Sequence, residues 1–336
     1  MKIGILTYWG VANYGAWVQA YALNRVIERT FPKAQVEHIA YLEKSHWDSY
    51  YRHDIKSFNN FNYNWHMIPH CCIDTEQELE RYECDILITG ADSIWEEIVT
   101  GVINHDWHLA GKDMNGCRHI ISYAPSSGIF DGRDGIPAEM VEGLKAFDGI
   151  SVRDKTTQNL IKLALGITPK IVLDPALLWD FQKDENIIHP SISGYIAVYG
   201  GSWNETFIEQ TRKFANEKQL KLISIGFVND WCDISFRRIE LRAFEWIGMF
   251  ACAEYVVTST FHGLMLGINF QKQIKFCRVE YVKNRSQSLC EILEIPNHME
   301  NYNKEIDYTV VQKKLKTIRS ESLTWLESMI TKYSEG

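Results

Sequence analysis

Short apolar runs alternate along this chain with longer segments whose apolar residues follow helical spacing. The runs are rich in β-branched residues, which is typical of strands buried on both faces of a parallel sheet. Strands are predicted at 2–8, 35–42, 84–90, 118–124, 149–154, 170–175, 194–200, 220–226, 255–257 and 273–277. Helices are predicted at 16–29, 76–83, 138–147, 205–218, 243–252, 286–293 and 308–333, with another beginning near residue 263. This alternation predicts an α/β fold with doubly wound parallel sheets.

A polar stretch at 179–193 interrupts the alternation, and the pattern restarts after it. Because 336 residues are many for a single core, we expect two Rossmann-like domains, 1–178 and 179–336, facing each other across a cleft. Residues 43–75 are rich in Tyr, Asn, His and Trp and show no period, so an irregular loop near the site is predicted there.

The most informative stretch follows the predicted strand at 255–257. Small hydroxyl residues, among them Ser259 and Thr260, suit a helix cap, and His262 and Gly263 lie at the helix start. Ligands of open α/β sheets bind beyond the carboxyl ends of the strands, and the first helical turn favours an anion. An imidazole at such a place is suited to proton transfer. The alternative interpretation is a histidine that caps a buried turn.

Residues that could bind a ligand also follow two further predicted strands. The glycine-bearing loop 9–15 joins a strand to a helix, as a phosphate cradle does, but it lacks the G-x-G-x-x-G and P-loop patterns. A tight turn is therefore the simpler interpretation of that loop. Arg153 ends another strand, and its planar guanidinium could hold a carboxylate or a phosphate. A salt bridge at the domain interface is the alternative for Arg153.

Composition narrows the class of protein. A net charge of −8 argues against a nucleic-acid-binding protein but leaves room for a local basic pocket. No apolar run approaches the about 20 residues of a membrane span. The eight cysteines form no C-x-x-C pair, which favours reduced thiols in a cytoplasmic protein. The pairs His66/His70 and His105/His108 lack further recognisable ligands, so no metal site is predicted.

Several separated segments resemble the polysaccharide pyruvyl transferase family. They occur in family order at 5–8, 13–16, 90–95, 122–124, 151–154, 172–175, 257–263 and 284–285. The sequence departs from the family pattern at Ser259, where the family has an aspartate, at Thr260, where it has a serine, and at Ala91, where it has a small hydroxyl residue. If that aspartate orients the histidine, Ser259 must do so more weakly or another carboxylate must help.

The resemblance implies a fold like that of the two-Rossmann (GT-B) glycosyltransferases. It also implies transfer of a pyruvyl group from phosphoenolpyruvate to two hydroxyls of a sugar, which forms a cyclic ketal and needs no cofactor. His262 is then the candidate acid/base, Arg153 the group that holds the donor, and Asp92 a base or a ligand of a sugar hydroxyl. The other residues assigned to substrate binding are Asn13, Tyr14 and Gly15 on the acceptor side, and Ser259, Thr260, Gly263, Asn284 and Arg285.

The implied partners are phosphoenolpyruvate and a sugar acceptor of a glycan precursor. The expected location is the cytoplasm, at the inner face of the membrane if the acceptor is lipid-linked. A nucleotide-sugar glycosyltransferase is the main alternative, since it would share the fold; it would bind a diphosphate at the helix after His262 and a ribose at Glu280. A non-catalytic sugar-binding protein is the third function considered, and the departure from the family pattern at Ser259 is the only observation in its favour.

Overall fold

The computed structural model describes residues 1–41, 55–73, 75–96 and 116–334, and it contains two parallel sheets. The first sheet has the order β3-β2-β1-β4-β5-β6-β7. Its strands are β1 (Lys2–Leu6), β2 (Gln35–Tyr41), β3 (His70–Ile73), β4 (Cys84–Thr89), β5 (Cys117–Ser122), β6 (Gly149–Val152) and β7 (Lys170–Ile171). The second sheet has the order β10-β9-β8-β11-β12. Its strands are β8 (Tyr195–Tyr199), β9 (Lys221–Ile225), β10 (Ile234–Phe236), β11 (Tyr255–Thr258) and β12 (Gln273–Phe276).

Each sheet reverses its strand order once. The reversal falls between β1 and β4 in the first sheet and between β8 and β11 in the second. Such a switch point opens a crevice, because the connections leave the two neighbouring strands towards opposite faces of the sheet. The strand order therefore places a crevice at the carboxyl ends of these four strands.

The helices cover both sheets. They are α1 (Tyr14–Thr30), α2 (Ile55–His66), α3 (Glu76–Glu80), α4 (Ala138–Lys145), α5 (Lys155–Leu165), α6 (Pro175–Leu178), α7 (Glu205–Lys218), α8 (Ala243–Cys252), α9 (Phe261–Asn269), α10 (Glu280–Leu293) and α11 (Tyr308–Ser334), with a 3₁₀ turn at Phe181–Lys183. The predicted bounds of α7 and α8 agree with these, while α10 begins earlier than predicted. The short edge strand β10 was not predicted.

The last helix returns to the first sheet. The Leu173 backbone N–H donates to Ser322 Oγ at 2.9 Å, and Arg319 Nε donates to the Leu177 carbonyl at 2.7 Å. The α11 helix thus packs against residues that follow β7, although it comes last in the chain. The division of the chain at residue 178 stays a prediction. It separates the two sheets, but α11 comes after this point in the chain and contacts residues that come before it.

The prediction of an irregular segment at 43–75 is wrong for its described part, which contains α2 and β3. The helix was missed because its packing face is aromatic instead of aliphatic: Phe61 is buried and Trp65 stacks on Trp9 with ring centroids 5.0 Å apart. Asn60 Nδ2 also donates to the Ile239 carbonyl at 3.0 Å, which joins α2 to the second half. Residues 43–54 and 74 lie outside the described residues, as do His105 and His108.

A buried histidine makes the fold sensitive to acid. His298 Nδ1 accepts from the Phe276 N–H at 3.3 Å, its Nε2 lies 3.0 Å from the Lys304 carbonyl, and burial lowers its pKa from 6.5 to about 4. Because the unfolded chain binds the proton more readily, the stabilisation is complete above pH 6.5 and is lost as the pH falls towards 4. We expect this histidine to account for a loss of about 2 kcal/mol in the free energy of unfolding at pH 5.

Urea denaturation between pH 7.5 and 4.5 measures this effect. The variant His298→Gln keeps a donor and an acceptor but does not titrate, so its stability should fall less steeply over this range. The exposed His66 offers the matched control, His66→Gln. Equal pH slopes for His298→Gln and the wild-type protein would contradict the prediction.

Candidate active site

A cleft of about 500 Å³ lies between the two halves, a volume typical of small-molecule sites. Its walls are formed at the carboxyl ends of strands from both sheets. The first half contributes Tyr8, Asn13, Gly15, Asp92 and Arg153, and the second contributes Tyr199, Gly201, Ser202, Phe227, Arg238, Ser259, Thr260, Phe261, His262, Val279, Val282 and Arg285. The two switch points therefore face each other across this cleft.

His262 lies at the start of α9, directly beyond β11. Thr260 caps that helix, since its Oγ1 accepts from the Gly263 N–H at 3.0 Å. The imidazole side chain is 11% exposed, and its Nε2 is buried without a hydrogen-bond partner in the described part of the chain. The nearest carboxylate oxygen, Asp174 Oδ2, is 3.9 Å from Nε2, which is too long for a hydrogen bond. The start of α9 thus places the ring at the cleft, with Nε2 unpartnered among the described residues.

Burial lowers the pKa of His262, and the guanidinium groups of Arg153 and Arg285 act in the same direction. The carboxylates of Asp174 and Asp92 oppose the shift without cancelling it. The imidazole is therefore neutral near pH 7 and able to accept a proton. An anion bound in the cleft would raise this pKa, because it would stabilise the charged ring.

Arg153 follows β6 and is held on several sides. Its Nη1 lies 2.8 Å from Asp174 Oδ2, its Nη2 donates to Ser93 Oγ at 3.3 Å, and its guanidinium carbon lies 4.4 Å from the centre of the Phe261 ring. Arg153 and His262 both line the cleft, and Arg153 is also in a buried salt bridge. An anionic ligand would compete with Asp174 for this guanidinium.

Arg285 is the second predicted cation that lines the cleft. It lies on α10 and forms a buried ion pair with Glu96, which comes from the first half. Glu96 Oε1 also accepts from the Ile129 N–H at 3.1 Å, so the pair joins both halves beside the cleft. The side chain of Asn284, the neighbour assigned with Arg285, lies outside the described residues.

Asp92 lines the first-half wall of the cleft in the turn after β4. Its φ of 69° is left-handed, a conformation that aspartate adopts more readily than most residues. Its Oδ1 accepts from the Ser93 N–H at 2.9 Å, which fixes the carboxylate at the carboxyl end of the strand.

The residues predicted on the acceptor side divide into two groups. Asn13 and Gly15 line the cleft, and Asn13 Oδ1 caps α1 by accepting from the Gly15 N–H at 2.9 Å. Tyr14 does not line the cleft, so that prediction is wrong. Its ring is buried against Trp246 at 4.6 Å and its hydroxyl donates to the Leu241 carbonyl at 2.7 Å. The first turn of α1 directs this side chain into the contact between the two halves.

Gly263 is likewise absent from the cleft wall, although a substrate-binding role was predicted for it. Its N–H is used by Thr260, and a Cβ at this position would lie 2.2 Å from Thr258 Oγ1. The glycine therefore permits close packing of β11 against α9.

Ser259 and Thr260, the positions that depart from the family pattern, both line the cleft. Ser259 is 4% exposed, and its hydroxyl lies close to Gly200 at the end of β8, without a partner among the described residues. The carboxylate nearest to the His262 ring among the described residues is that of Asp174. The sequence contained it in the segment 172–175, and its place before Pro175 at a strand end was the available signal.

An aromatic wall was also missed. Tyr199 ends β8 and Phe227 follows β9, and their ring centroids are 5.2 Å apart on the cleft surface. Arg238 lies in the same wall. The rule that ligands meet the carboxyl ends of strands would have located both aromatic residues, since Tyr199 lies at the end of a predicted strand and Phe227 directly follows another.

Neither a metal site nor a membrane helix is found in what the structure describes. Residues 1–41, 55–73, 75–96 and 116–334 contain no group of three or more acidic, histidine or cysteine side chains that could hold a metal ion. Within those same ranges, no helix combines the length and the apolar character that crossing a membrane requires.

The chain has the two-Rossmann α/β fold, which it shares with solved GT-B glycosyltransferases and nucleotide-sugar epimerases. A UDP-GlcNAc 2-epimerase from Neisseria meningitidis bound to UDP-GlcNAc superposes with a TM-score of 0.51 at 11% identity, covering 96% of this chain and 100% of that one. An alpha-glucosyltransferase in complex with UDP gives a TM-score of 0.51 at 13% identity over 96% and 95%. The UDP-GlcNAc 2-epimerase of Methanocaldococcus jannaschii gives 0.50 at 12% identity over 100% of both chains.

The family follows from the sequence, since identities this low establish only the fold. The family profile of polysaccharide pyruvyl transferase matches residues 13–274, which is most of the chain. The chain belongs to the polysaccharide pyruvyl transferase family and is a transferase. A comparison with curated protein sequences gave no match.

Proposed function

We propose that this protein transfers a pyruvyl group from phosphoenolpyruvate to two hydroxyls of a sugar in a glycan or glycolipid precursor. The products are a cyclic pyruvate ketal and phosphate, and the reaction uses no cofactor. The observation that carries the proposal is the neutral imidazole of His262, whose Nε2 has no partner among the described residues, in one cleft with Arg153 and Arg285. This arrangement offers a base beside cations suited to a carboxylate and a phosphate.

The chemistry balances without a redox partner. Protonation of the methylene carbon of phosphoenolpyruvate makes C2 resemble an oxocarbenium ion, and a sugar hydroxyl attacks C2. The second hydroxyl then attacks C2 as the C–O bond to phosphate breaks. One hydroxyl proton balances the proton gained by the methylene carbon, and the other leaves with phosphate.

The walls of the cleft suit different parts of this reaction. The donor would lie against the second half, near the first turn of α9, while Arg153 reaches it from the first half. Asp92, Asn13 and Gly15 would contact the acceptor, and the rings of Tyr199 and Phe227 offer a surface for a sugar face. Closure of the halves would exclude water, which competes with the sugar hydroxyl for C2.

We further propose a cytoplasmic enzyme, because phosphoenolpyruvate is a cytoplasmic metabolite. A lipid-linked acceptor would bring it to the inner face of the membrane without an integral membrane segment. No nucleic acid is a partner under this proposal, in keeping with the net charge of −8.

Thermal shift measurements with phosphoenolpyruvate and with a panel of UDP-sugars test the donor. A ligand at 100 times its dissociation constant stabilises the protein by about 2.7 kcal/mol. Stabilisation by phosphoenolpyruvate, followed by sugar-dependent phosphate release, would support the proposal. Stabilisation by UDP-sugars alone would favour a glycosyltransferase, and sugar binding without turnover would favour a binding protein. Against the glycosyltransferase, the side chain of Glu280 is 81% exposed, pairs with Lys283 at 3.1 Å and is not part of the cleft wall.

Arg153→Lys is expected to raise the KM for phosphoenolpyruvate about tenfold and to change the KM for the sugar much less. Lysine keeps the charge but loses the planar pair of donors that faces Asp174 and Ser93. Steady-state kinetics with each substrate varied in turn measures the effect.

Arg242→Lys is the matched control, because Arg242 also pairs with a carboxylate and lies over a ring, 4.9 Å from the centre of Tyr63, but does not line the cleft. An unchanged KM for phosphoenolpyruvate in Arg153→Lys would contradict the assigned role.

A further inference from the structure

Asp174 joins three parts of the site through one buried carboxylate. It caps α6, and its Oδ1 accepts from the Ala176 N–H at 3.0 Å. Its Oδ2 lies 2.8 Å from Arg153 Nη1 and 3.9 Å from His262 Nε2. Oδ1 thus caps the start of α6, while Oδ2 lies between the Arg153 guanidinium and the His262 imidazole.

The two nitrogens of His262 have different surroundings. Nε2 is buried and faces Asp174, whereas Nδ1 lies against Gly15, next to Asn13 in the cleft wall. A neutral imidazole carries one N–H, and its position is set by the partner of that nitrogen. A carboxylate facing Nε2 favours the N–H there. The lone pair is then left on Nδ1, on the side where the acceptor would bind.

Among the remaining charged groups around the ring, the two arginines are compatible with this assignment and Asp92 competes with it. Among the described residues, the charged groups that act on the pKa of His262 are Asp174 beyond β7, Asp92 beyond β4, Arg153 beyond β6 and Arg285 on α10. Both arginines are paired with buried carboxylates and offer no acceptor to a ring N–H. Asp92 is the competing acceptor, and it would favour the opposite tautomer if it held an N–H on Nδ1.

We propose that Asp174 is a positioning residue that holds the N–H of His262 on Nε2, so that Nδ1 accepts the proton of the attacking sugar hydroxyl. This inference rests on the proposed function for its kinetic consequences. When an anionic donor draws Arg153 towards itself, Asp174 Oδ2 becomes available to the imidazolium that forms. The 3.9 Å separation would then shorten, as such contacts do when substrate binds. Asp174 would thereby supply the carboxylate that Ser259 lacks.

Nitrogen NMR of ¹⁵N-histidine-labelled protein, without any substrate and at pH 8, tests the tautomer directly. His262→Gln identifies the signals of this ring by their loss. We expect the wild-type ring to be protonated on Nε2 and unprotonated on Nδ1. Asp174→Asn keeps the helix cap and the shape but loses the charge, so it should shift the ring towards the other tautomer. Protonation on Nδ1 in the wild-type protein, or an unchanged tautomer in Asp174→Asn, would overturn the proposal.

Kinetics separates positioning from folding. Asp174→Asn should lower kcat by about 10²–10⁴-fold with a change of less than about threefold in the KM for the sugar. The acid limb of kcat/KM should move to lower pH, because the carboxylate that raises the pKa of His262 is lost. An unmoved acid limb would contradict the role.

Ser93→Ala is the matched control, since it removes a contact of Arg153 and leaves Asp174 in place. It should leave the tautomer unchanged and cost much less in kcat. If Ser93→Ala lowered kcat as much as Asp174→Asn does, the loss in kcat would come from a displaced Arg153 and not from the tautomer of His262. Absence of wild-type turnover with phosphoenolpyruvate would refute the proposed function, whereas the substrate-free NMR result would still decide the tautomer.

Discussion

Replacement of His262 by alanine is expected to lower kcat for pyruvyl transfer by about 10²–10⁴-fold, the usual contribution of a general acid or base. Burial lowers the pKa of the imidazole, so the ring is neutral and able to accept a proton at pH 7. Phosphate release in the presence of a sugar acceptor measures the loss.

The fold of the His262→Ala variant should be intact. Nε2 has no hydrogen-bond partner among the described residues, and the ring borders the cleft, so its removal enlarges an existing space. We expect the melting temperature to fall by no more than about 4 °C. His189→Ala, at an exposed histidine of the same half, is the control. Wild-type turnover by a well-folded His262→Ala variant would exclude the role.

The candidate site could be predicted from the sequence because residue types suited to the chemistry stand directly after predicted strands. His262 follows an apolar strand and small capping residues, and Asp92 and Arg153 each follow a strand of the first sheet. Because the carboxyl ends of parallel strands share one edge, strand order brings Asp92 and Arg153 together, and the facing of the two halves across the cleft brings His262 to them. The fold class was predictable for the same reason, since strict alternation of strands and helices permits few parallel topologies.

The errors concern directions of side chains, which strand order does not fix. Tyr14 adjoins Asn13 and Gly15, but the helical turn points its ring into the core between the halves. Asp174 received no role because nothing local indicates that its carboxylate lies between Arg153 and His262. The contacts of Tyr14 with Trp246 and of Asp174 with His262 join residues distant in sequence, and only the packing of the two halves determines them.

Gly15→Ala should reduce kcat about 10²-fold without loss of stability, the scale expected when a catalytic group is displaced by about 1 Å. Gly15 lies in the first turn of α1, where alanine favours the helix by up to about 1 kcal/mol. The added Cβ, however, would lie 2.4 Å from His262 Nδ1 and 3.0 Å from its Cγ, both too close for the ring to stay in place. The displaced ring would lose its alignment with the acceptor and with Asp174.

A double-mutant cycle shows whether the effect passes through the imidazole. In a His262→Ala background the added methyl group meets no ring, so Gly15→Ala should cost almost nothing further. Melting temperatures of all variants are compared to confirm that the first turn of α1 is preserved. Fully additive losses would mean that the methyl group obstructs the acceptor directly. An unchanged kcat for Gly15→Ala would mean that proton transfer does not depend on the position of Nδ1.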